Sequence, residues 1–241
     1  DIAQTSDLMA EAHSSSQNYA QGSGEWHAAR LGCVTASRVA DVVAKTKSGY
    51  AAARQTYMGQ LLSERLTGLP TETFQNAAMR WGVETEAAAV DAYEAATGIE
   101  TRAIGFLYHP SLAYAGASPD RVIAPDGLLE VKCPTTATHI ETLLKGEVQA
   151  RYVIQMQWQM ACAGRDWCDF VSYDPRMPEA YALFIKRVAR DPVHIASLEE
   201  EVARFLEEME QTLDRLEEGL DLRLSSGNLR GEAEDFCRAS S

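Results

Sequence analysis

The stretch from Ser118 to Pro134 constrains the fold more than any other part of the chain. It reads Ser118-Pro119-Asp120-Arg121, then a Pro-Asp-Gly turn, then Leu128-Leu129-Glu130-Val131-Lys132-Cys133-Pro134. Ala124-Pro125-Asp126-Gly127 has the residues of a tight turn, because Pro restricts φ and Gly accepts a positive φ. Val122-Ile123 and Leu128-Leu129 supply apolar strands on either side, so the segment predicts a β-hairpin. Side chains alternate along a strand. Glu130 and Lys132 therefore emerge on one face, roughly 6–7 Å apart, and Val131 on the other. The turn folds Asp120 back toward Glu130. Two carboxylates and an ammonium on one sheet face suit a Mg²⁺ site with a charged helper for water, which is the equipment of phosphodiester hydrolysis. The plainer reading is a hairpin with solvated charges, since an Asp…Glu-x-Lys string often arises by chance. Three details weigh against it. The Glu-bearing strand is too apolar for an exposed edge, Cys133-Pro134 ends it abruptly, and a proline precedes the Asp and holds its neighbour extended.

Composition sets broad limits. A chain of 241 residues can hold one substantial core or two small ones. With 46% hydrophobic and 24% charged residues it reads as globular, not disordered. No apolar run approaches a membrane span, and no charged-then-apolar leader opens the sequence. It starts with Asp, so Asp1 to Leu8 read as processing or added residues ahead of a start at Met9. Five cysteines in no paired spacing imply reduced thiols and a cytoplasmic setting. The net charge of −13 opposes broad, non-specific binding to nucleic acid. Its distribution softens that objection. Between Trp26 and Ser63, Arg30, Arg38, Lys45, Lys47 and Arg54 face only Asp41, whereas the acid gathers between Asp191 and Leu220.

Residues 1–23 read as a loose polar leader. Helices are expected from Thr35-Ala36-Ser37 to about Lys45, over 51–67 with Gly68 and Pro70 closing it, and over 77–97 with Gly98 at its end. Strands are expected between Ile104 and Cys133, with a loop over Thr135–His139. A helix follows over about 148–163, then strands at 167–173 and 181–188. Asp191-Pro192 opens a long final helix with an apolar stripe from Ile195 to Leu220. The order is α/β or α+β, a central mixed sheet flanked by helices. The expected organisation is one domain over 24–220 and a polar tail over 221–241.

Other residues could carry chemistry. Glu86 shares a helix stripe with Val83, Ala87, Val90 and Tyr93, and a carboxylate there is costly unless a partner or metal accepts it. Gln155 and Gln159 lie one turn apart and can hydrogen-bond a catalytic Lys or a water; a plain polar face is the commoner explanation. Arg30 with Thr35 and Ser37 at a helix start would make a phosphate pocket, or merely an N-cap beside a surface Arg. The four tryptophans read as core. The five histidines show no ligand-type pair.

Together these residues resemble the phage lambda exonuclease family, within the restriction-endonuclease-like PD-(D/E)xK nucleases. The matching blocks run in order: Trp26-His27-…-Arg30-Leu31-Gly32-…-Thr35-Ala36-Ser37, Trp81-Gly82-…-Glu86, Ser118-Pro119-Asp120, Leu129-Glu130-Val131-Lys132-Cys133-Pro134, Tyr152-…-Gln155-…-Gln157, and Tyr173-Asp174-Pro175-Arg176-Met177. They span roughly residues 24 to 220. The resemblance implies that Asp120 bridges two Mg²⁺ ions, with Mn²⁺ as a substitute. It implies that Glu130 and the Val131 carbonyl complete one site and that Glu86 serves the second. Lys132 would position or activate water, with Gln155 orienting it, and Arg30, Thr35 and Ser37 would hold a 5′-phosphate. The implied activity is 5′-to-3′ digestion of double-stranded DNA to mononucleotides, leaving a 3′ strand for single-strand annealing recombination. A homotrimeric ring and an annealing-protein partner are implied with it, and ring closure would require a heterologous, closed interface. One departure stands out: Thr135-Thr136-Ala137-Thr138-His139 lacks the basic residue that some relatives carry there. Two rival readings suit the same residues. One is a repair or restriction-type endonuclease on the same core, and the other is a DNA-end-binding, recombinase-loading module.

Overall fold

The structure is a computed structural model that describes residues 16–71 and 77–225. The chain divides after Val202 into two compact units. At the centre of the first is the hairpin of β6 (Arg121–Ile123) and β7 (Gly127–Lys132). The hairpin pairs Arg121 with Leu129 and Ile123 with Gly127, which sets Asp120 against Glu130; Gly127 opens the strand and does not take the positive φ expected of it in the turn. The Ala124–Pro125 peptide is cis. Strand β8 (Trp167–Tyr173) lies parallel to β7, and β9 (Leu183–Ala189) lies antiparallel to β8, giving a mixed four-stranded sheet in the order β6-β7-β8-β9. A parallel pair needs a crossover. Here helices α5 (Thr136–Lys145) and α6 (Ala150–Ala163) supply it. The loop expected at 135–139 is in fact the start of α5, where the Thr135 hydroxyl accepts from the Thr138 N–H and Gly146 closes the helix at φ 62°.

The alternation of β7 decides which helix each residue meets. Leu129 and Val131 pack with Ala89, Val90 and Tyr93 of α4 (Ala77–Thr97), together with Ile123 and Val171. Leu128 turns the other way, toward Met156 and Met160 of α6, with Val122 and Phe170. Glu130 and Lys132 follow Leu128 in register and face α6. Both leucines are fully buried. Truncating either to Ala would cost about 2–5 kcal/mol.

The other elements hold the flanks. A small sheet joins β1 (Val34–Thr35), β5 (Ala115–Ala117) and β4 (Leu107–Tyr108), and β2 (Lys45–Thr46) with β3 (Gly49–Tyr50) makes a separate hairpin. Helix α1 spans Gly24–Arg30 and α3 spans Ala52–Thr67, the latter ended by Gly68 at φ 67°. The helix expected from Thr35 to Lys45 is broken into β1, a 3₁₀ turn (Ala36–Arg38) and the five-residue α2 (Val39–Val43). The parallel pairing of Val34 with Ala115 and Thr35 with Gly116 draws the chain into a strand, so the apolar run is buried without one long helix. Before β9, Glu179–Ala182 form the short helix α7, which shifts the strand's expected start from 181 to Leu183.

Residues 16–23 are not loose. Ser16 Oγ donates to the Phe106 carbonyl at 2.7 Å, Gly105 N donates to the Gln17 carbonyl, and Gln21 Nε2 donates to the carbonyls of Ile104 and Pro119. Residues 1–15 of the expected leader and the tail beyond 225 lie outside the described residues.

Helix α8 (Pro192–Ser225) opens as expected, with Asp191 Oδ1 accepting from the N–H groups of Val193 and His194 at 3.0 Å. Ile195, Leu198 and Val202 of its stripe are buried within the first unit. In the second unit Phe205 and Met209 are buried, whereas Leu216 and Leu220 are exposed. No helix among the described residues is long and apolar enough to cross a membrane. The cysteines among them are free thiols.

Candidate active site

Glu130 is the best-anchored side chain of the hairpin. It is 1% exposed, and donors surround it. Oε1 accepts from Lys132 Nζ and, at 2.6 Å, from Gln155 Nε2, while Oε2 accepts from Gln159 Nε2 at 2.6 Å. The two glutamines, one turn apart on α6, are buried, so the plain polar face is excluded. Gln159 is the residue that sequence reasoning undervalued. Its spacing from Gln155 was visible, but nothing in the sequence marked it as buried. The carbonyl oxygen of Gln159 has no hydrogen-bond partner among the described residues.

Asp120 joins from the preceding loop, where Oδ2 accepts the Val131 N–H at 2.6 Å. Burial, then Glu130 and Glu86, hold its carboxyl well above the usual range, although Lys132 and the Val131 N–H oppose the shift. Burial alone would lower the Lys132 ammonium, but Glu130 and Asp120 outweigh it and the net shift is upward. Its Nζ also lies 5.2 Å from the Tyr152 ring centroid.

Glu86 comes from α4. Arg121 Nη1 lies 3.5 Å from its Oε1 and also donates to the Asp120 carbonyl at 2.6 Å. Burial raises the Glu86 carboxyl; Arg121 opposes that and Glu130 reinforces it. The stripe expected for this helix is partly wrong. Val83 is 75% exposed and Ala87 is exposed, whereas Ala89, Val90 and Tyr93 face the sheet. Helical geometry still places Glu86 three and four residues before Ala89 and Val90, at the edge of that buried face.

The proposed phosphate pocket is rearranged. Arg30 Nη1 and Trp26 Nε1 both donate to Ser118 Oγ at 3.0 Å, and the guanidinium lies 4.0 Å from the Trp26 ring centroid. Arg30 is thus tied to the loop that carries Asp120. Thr35 is buried and donates its N–H to Tyr57 Oη at 3.1 Å; Ser37 is exposed. No hydrogen bond among the described residues links either to Arg30. With a 3₁₀ turn and a five-residue helix behind them, the strong helix-end field expected there is also missing. Ser118, quoted in the sequence only as part of a string, is the residue that brings Arg30 in.

Beyond the strand end, buried Asp174 accepts from Arg176 Nε at 2.7 Å, from Arg176 Nη2 at 3.0 Å and from the Thr136 hydroxyl at 2.6 Å. Arg176 also donates to the Pro134 carbonyl and lies 4.5 Å from the Trp81 ring centroid. Burial would raise the Asp174 carboxyl, but these hydrogen bonds hold it at about 2.

Among the described residues no group of three or more His, Cys, Asp and Glu side chains is drawn together as a ready metal cage. The donor set nevertheless fits a hard cation. Mg²⁺ commonly uses one or two carboxylates and completes its shell with waters and substrate phosphate oxygens. Asp120, Glu130 and the Val131 carbonyl are oxygen donors, and the two carboxylates repel one another.

Known proteins similar to this chain identify its family and fold. Residues 25–166 match the YqaJ-like viral recombinase domain. An alkaline exonuclease from Laribacter hongkongensis is 49% identical, with 81% of this chain and 97% of that one covered at a TM-score of 0.76. The same enzyme in complex with dAMP is 47% identical, with 86% and 100% covered at 0.77. A phage-related exonuclease from Haemophilus somnus 129PT shares the fold at 15% identity and a TM-score of 0.60, with 76% and 96% covered. None of the curated proteins matches. The chain belongs to the YqaJ-like viral recombinase family, and its mixed α+β fold is that of the restriction-endonuclease-like, lambda-type exonucleases.

Proposed function

We propose that the protein is a divalent-metal-dependent exonuclease that digests double-stranded DNA from 5′-phosphorylated ends, releasing mononucleotides and leaving a 3′ single strand for recombination. The observation that carries this reading is the convergence of Asp120, Glu130 and Lys132 at one end of β7, with Arg30 tied through Ser118 to the same loop. The 49% identity to an alkaline exonuclease supports the reaction class.

Asp120, Glu130 and the Val131 carbonyl would hold Mg²⁺, and Glu86 is the further carboxylate available for a second ion. Bound there, the metal would lower the pKa of a water and offset charge on the leaving oxygen. Lys132, pushed upward by its carboxylate neighbours, stays an ammonium. Its place beside them suits it to position or activate the attacking water and to offset phosphate charge. Gln155 fixes the carboxylate that Lys132 contacts. Arg30, braced on Trp26, and the Ser118 hydroxyl would grip the terminal 5′-phosphate and set the scissile bond in register. A homotrimeric ring closed around the duplex, a single-strand annealing protein as partner and a cytoplasmic site of action complete the proposal.

The test is digestion of linear duplexes with labelled 5′ or 3′ ends, 5′-phosphate or 5′-hydroxyl, beside a covalently closed circle, in Mg²⁺ or EDTA. The expected result is release from 5′ ends in Mg²⁺ only, with a preference for phosphate that Arg30→Ala removes, and an intact circle. Cutting of the circle would favour an endonuclease. End binding without hydrolysis would favour a loading module. Either result overturns the proposal.

A further inference from the structure

The hydrogen bonds to Glu130 can be counted against its capacity. An ionised carboxylate offers about four lone-pair positions, two on each oxygen. Lys132 and Gln155 take both positions on Oε1, and Gln159 takes one on Oε2. One remains. We propose that Gln159 is a positioning residue that fixes Glu130 as a one-oxygen ligand, offering a Mg²⁺-type cation the single remaining lone pair of Oε2.

A second observation points the same way. Gln159 is fully buried, and its donor end must face the carboxylate, because the opposite orientation would set two acceptors against each other. Its carbonyl oxygen is consequently left without a partner among the described residues. A buried polar atom left in that state keeps its full desolvation penalty, which an apolar residue of the same shape would avoid. Packing therefore does not explain the residue, whereas control of the Glu130 lone pairs does. The chemistry is also selective in principle. Mg²⁺ demands single-oxygen contacts in near-ideal octahedral geometry, and a carboxylate whose other oxygen is filled cannot drift into the two-oxygen grip that Ca²⁺ accepts.

The inference rests on the metal-dependent reading above, and the experiment separates the two. Manganese binding to DNA-free protein is measured by the loss of the free Mn²⁺ electron paramagnetic resonance signal, in the wild type and in Gln159→Met. The Mg²⁺ dependence of digestion is recorded beside it. Partners that orient a metal ligand typically alter affinity by about 10–100-fold. We expect Gln159→Met to bind Mn²⁺ about tenfold more weakly and to need correspondingly more Mg²⁺ for half-maximal digestion. Its rate at saturating Mg²⁺ is expected to recover to within about threefold of wild type, because the ligand itself is intact. Should the methionine variant not fold, Gln159→Ser, which leaves room for a water, is read in the same way. Wild-type Mn²⁺ affinity in a folded variant overturns this inference alone. Failure of the wild type to bind Mn²⁺ or to respond to Mg²⁺ overturns the functional reading and this inference with it.

Discussion

At the scale of single residues, the two aspartates near the centre are tuned in opposite directions. Asp174 is held at about 2, against an ordinary value of 3.8, by Arg176 and Thr136. A depressed carboxylate contributes stability that is complete above the ordinary value and is lost as pH falls through the folded one. Asp174→Asn should therefore lower stability by about 2 kcal/mol at neutral pH, and the gap to wild type should close between about pH 4 and pH 2. Urea unfolding across that range checks it; a gap that stays constant would detach Asp174 from the effect. Asp120 is the reverse case, a carboxyl held above its ordinary value by burial and by Glu130. Such a group favours folding at low pH and opposes it as pH rises through the shifted window. Asp120→Asn should consequently raise the thermal midpoint of chelator-treated protein at neutral pH, on the order of 1 kcal/mol of added stability, while abolishing digestion. A lower midpoint would mean that the carboxylate is a structural asset and not a poised ligand. Neither shift could be read in the sequence, because that of Asp120 depends first on burial and that of Asp174 on Thr136, 38 residues away, and on the side-chain geometry of Arg176.

Elements show where sequence reasoning works and where it stops. The hairpin, the helices at 52–67, 77–97 and 150–163 and the opening of the last helix were legible because a Pro-Asp-Gly string separates the two strands, a positive-φ glycine follows each of the three helices and Asp191 caps the last, although the apolar stripe expected for 77–97 was only partly right. Thr135–Lys145 was not, since a helix that begins Thr-Ala-Thr-His looks like a polar loop until its cap and the buried His139 are seen. The segment 34–43 failed for the opposite reason: its periodicity was helical, but pairing of Val34 and Thr35 with β5 overrode it. The register of β7 depends on a small residue at its start. A Cβ at Gly127 would run into the indole of Trp167 on β8. Gly127→Ala should cost about 1–3 kcal/mol, since the added methyl forces a bulky indole to shift. Because Glu130 lies three residues along the same strand, digestion should fall as well. Denaturant unfolding and a rate assay on the same preparation test both, and an alanine variant of wild-type stability and rate would show that the hairpin is not held there.

Across the whole molecule, a hairpin places two acids and a lysine, a crossover helix supplies two amides, and a helix from the other face of the sheet brings Glu86. The trio was legible because strand alternation and one turn suffice to assemble it. The amide pair and the Arg30–Ser118 link were only partly legible, because they form between segments 25 to 88 residues apart. The net charge of −13 looks adverse for a DNA enzyme, yet Arg30 is tied through Ser118 to the loop that carries Asp120 and the acidic run lies in the final helix. The account depends on Asp120, Glu130 and Lys132 acting as one hydrolytic centre. Its most direct test compares wild type, Asp120→Ala and Lys132→Ala for Mg²⁺-dependent digestion of a 5′-phosphorylated linear duplex, with binding to the same duplex measured in Ca²⁺. The account predicts that both variants bind within a few-fold of wild type and lose at least about 10²-fold in rate. Digestion at the wild-type rate by either variant would contradict it.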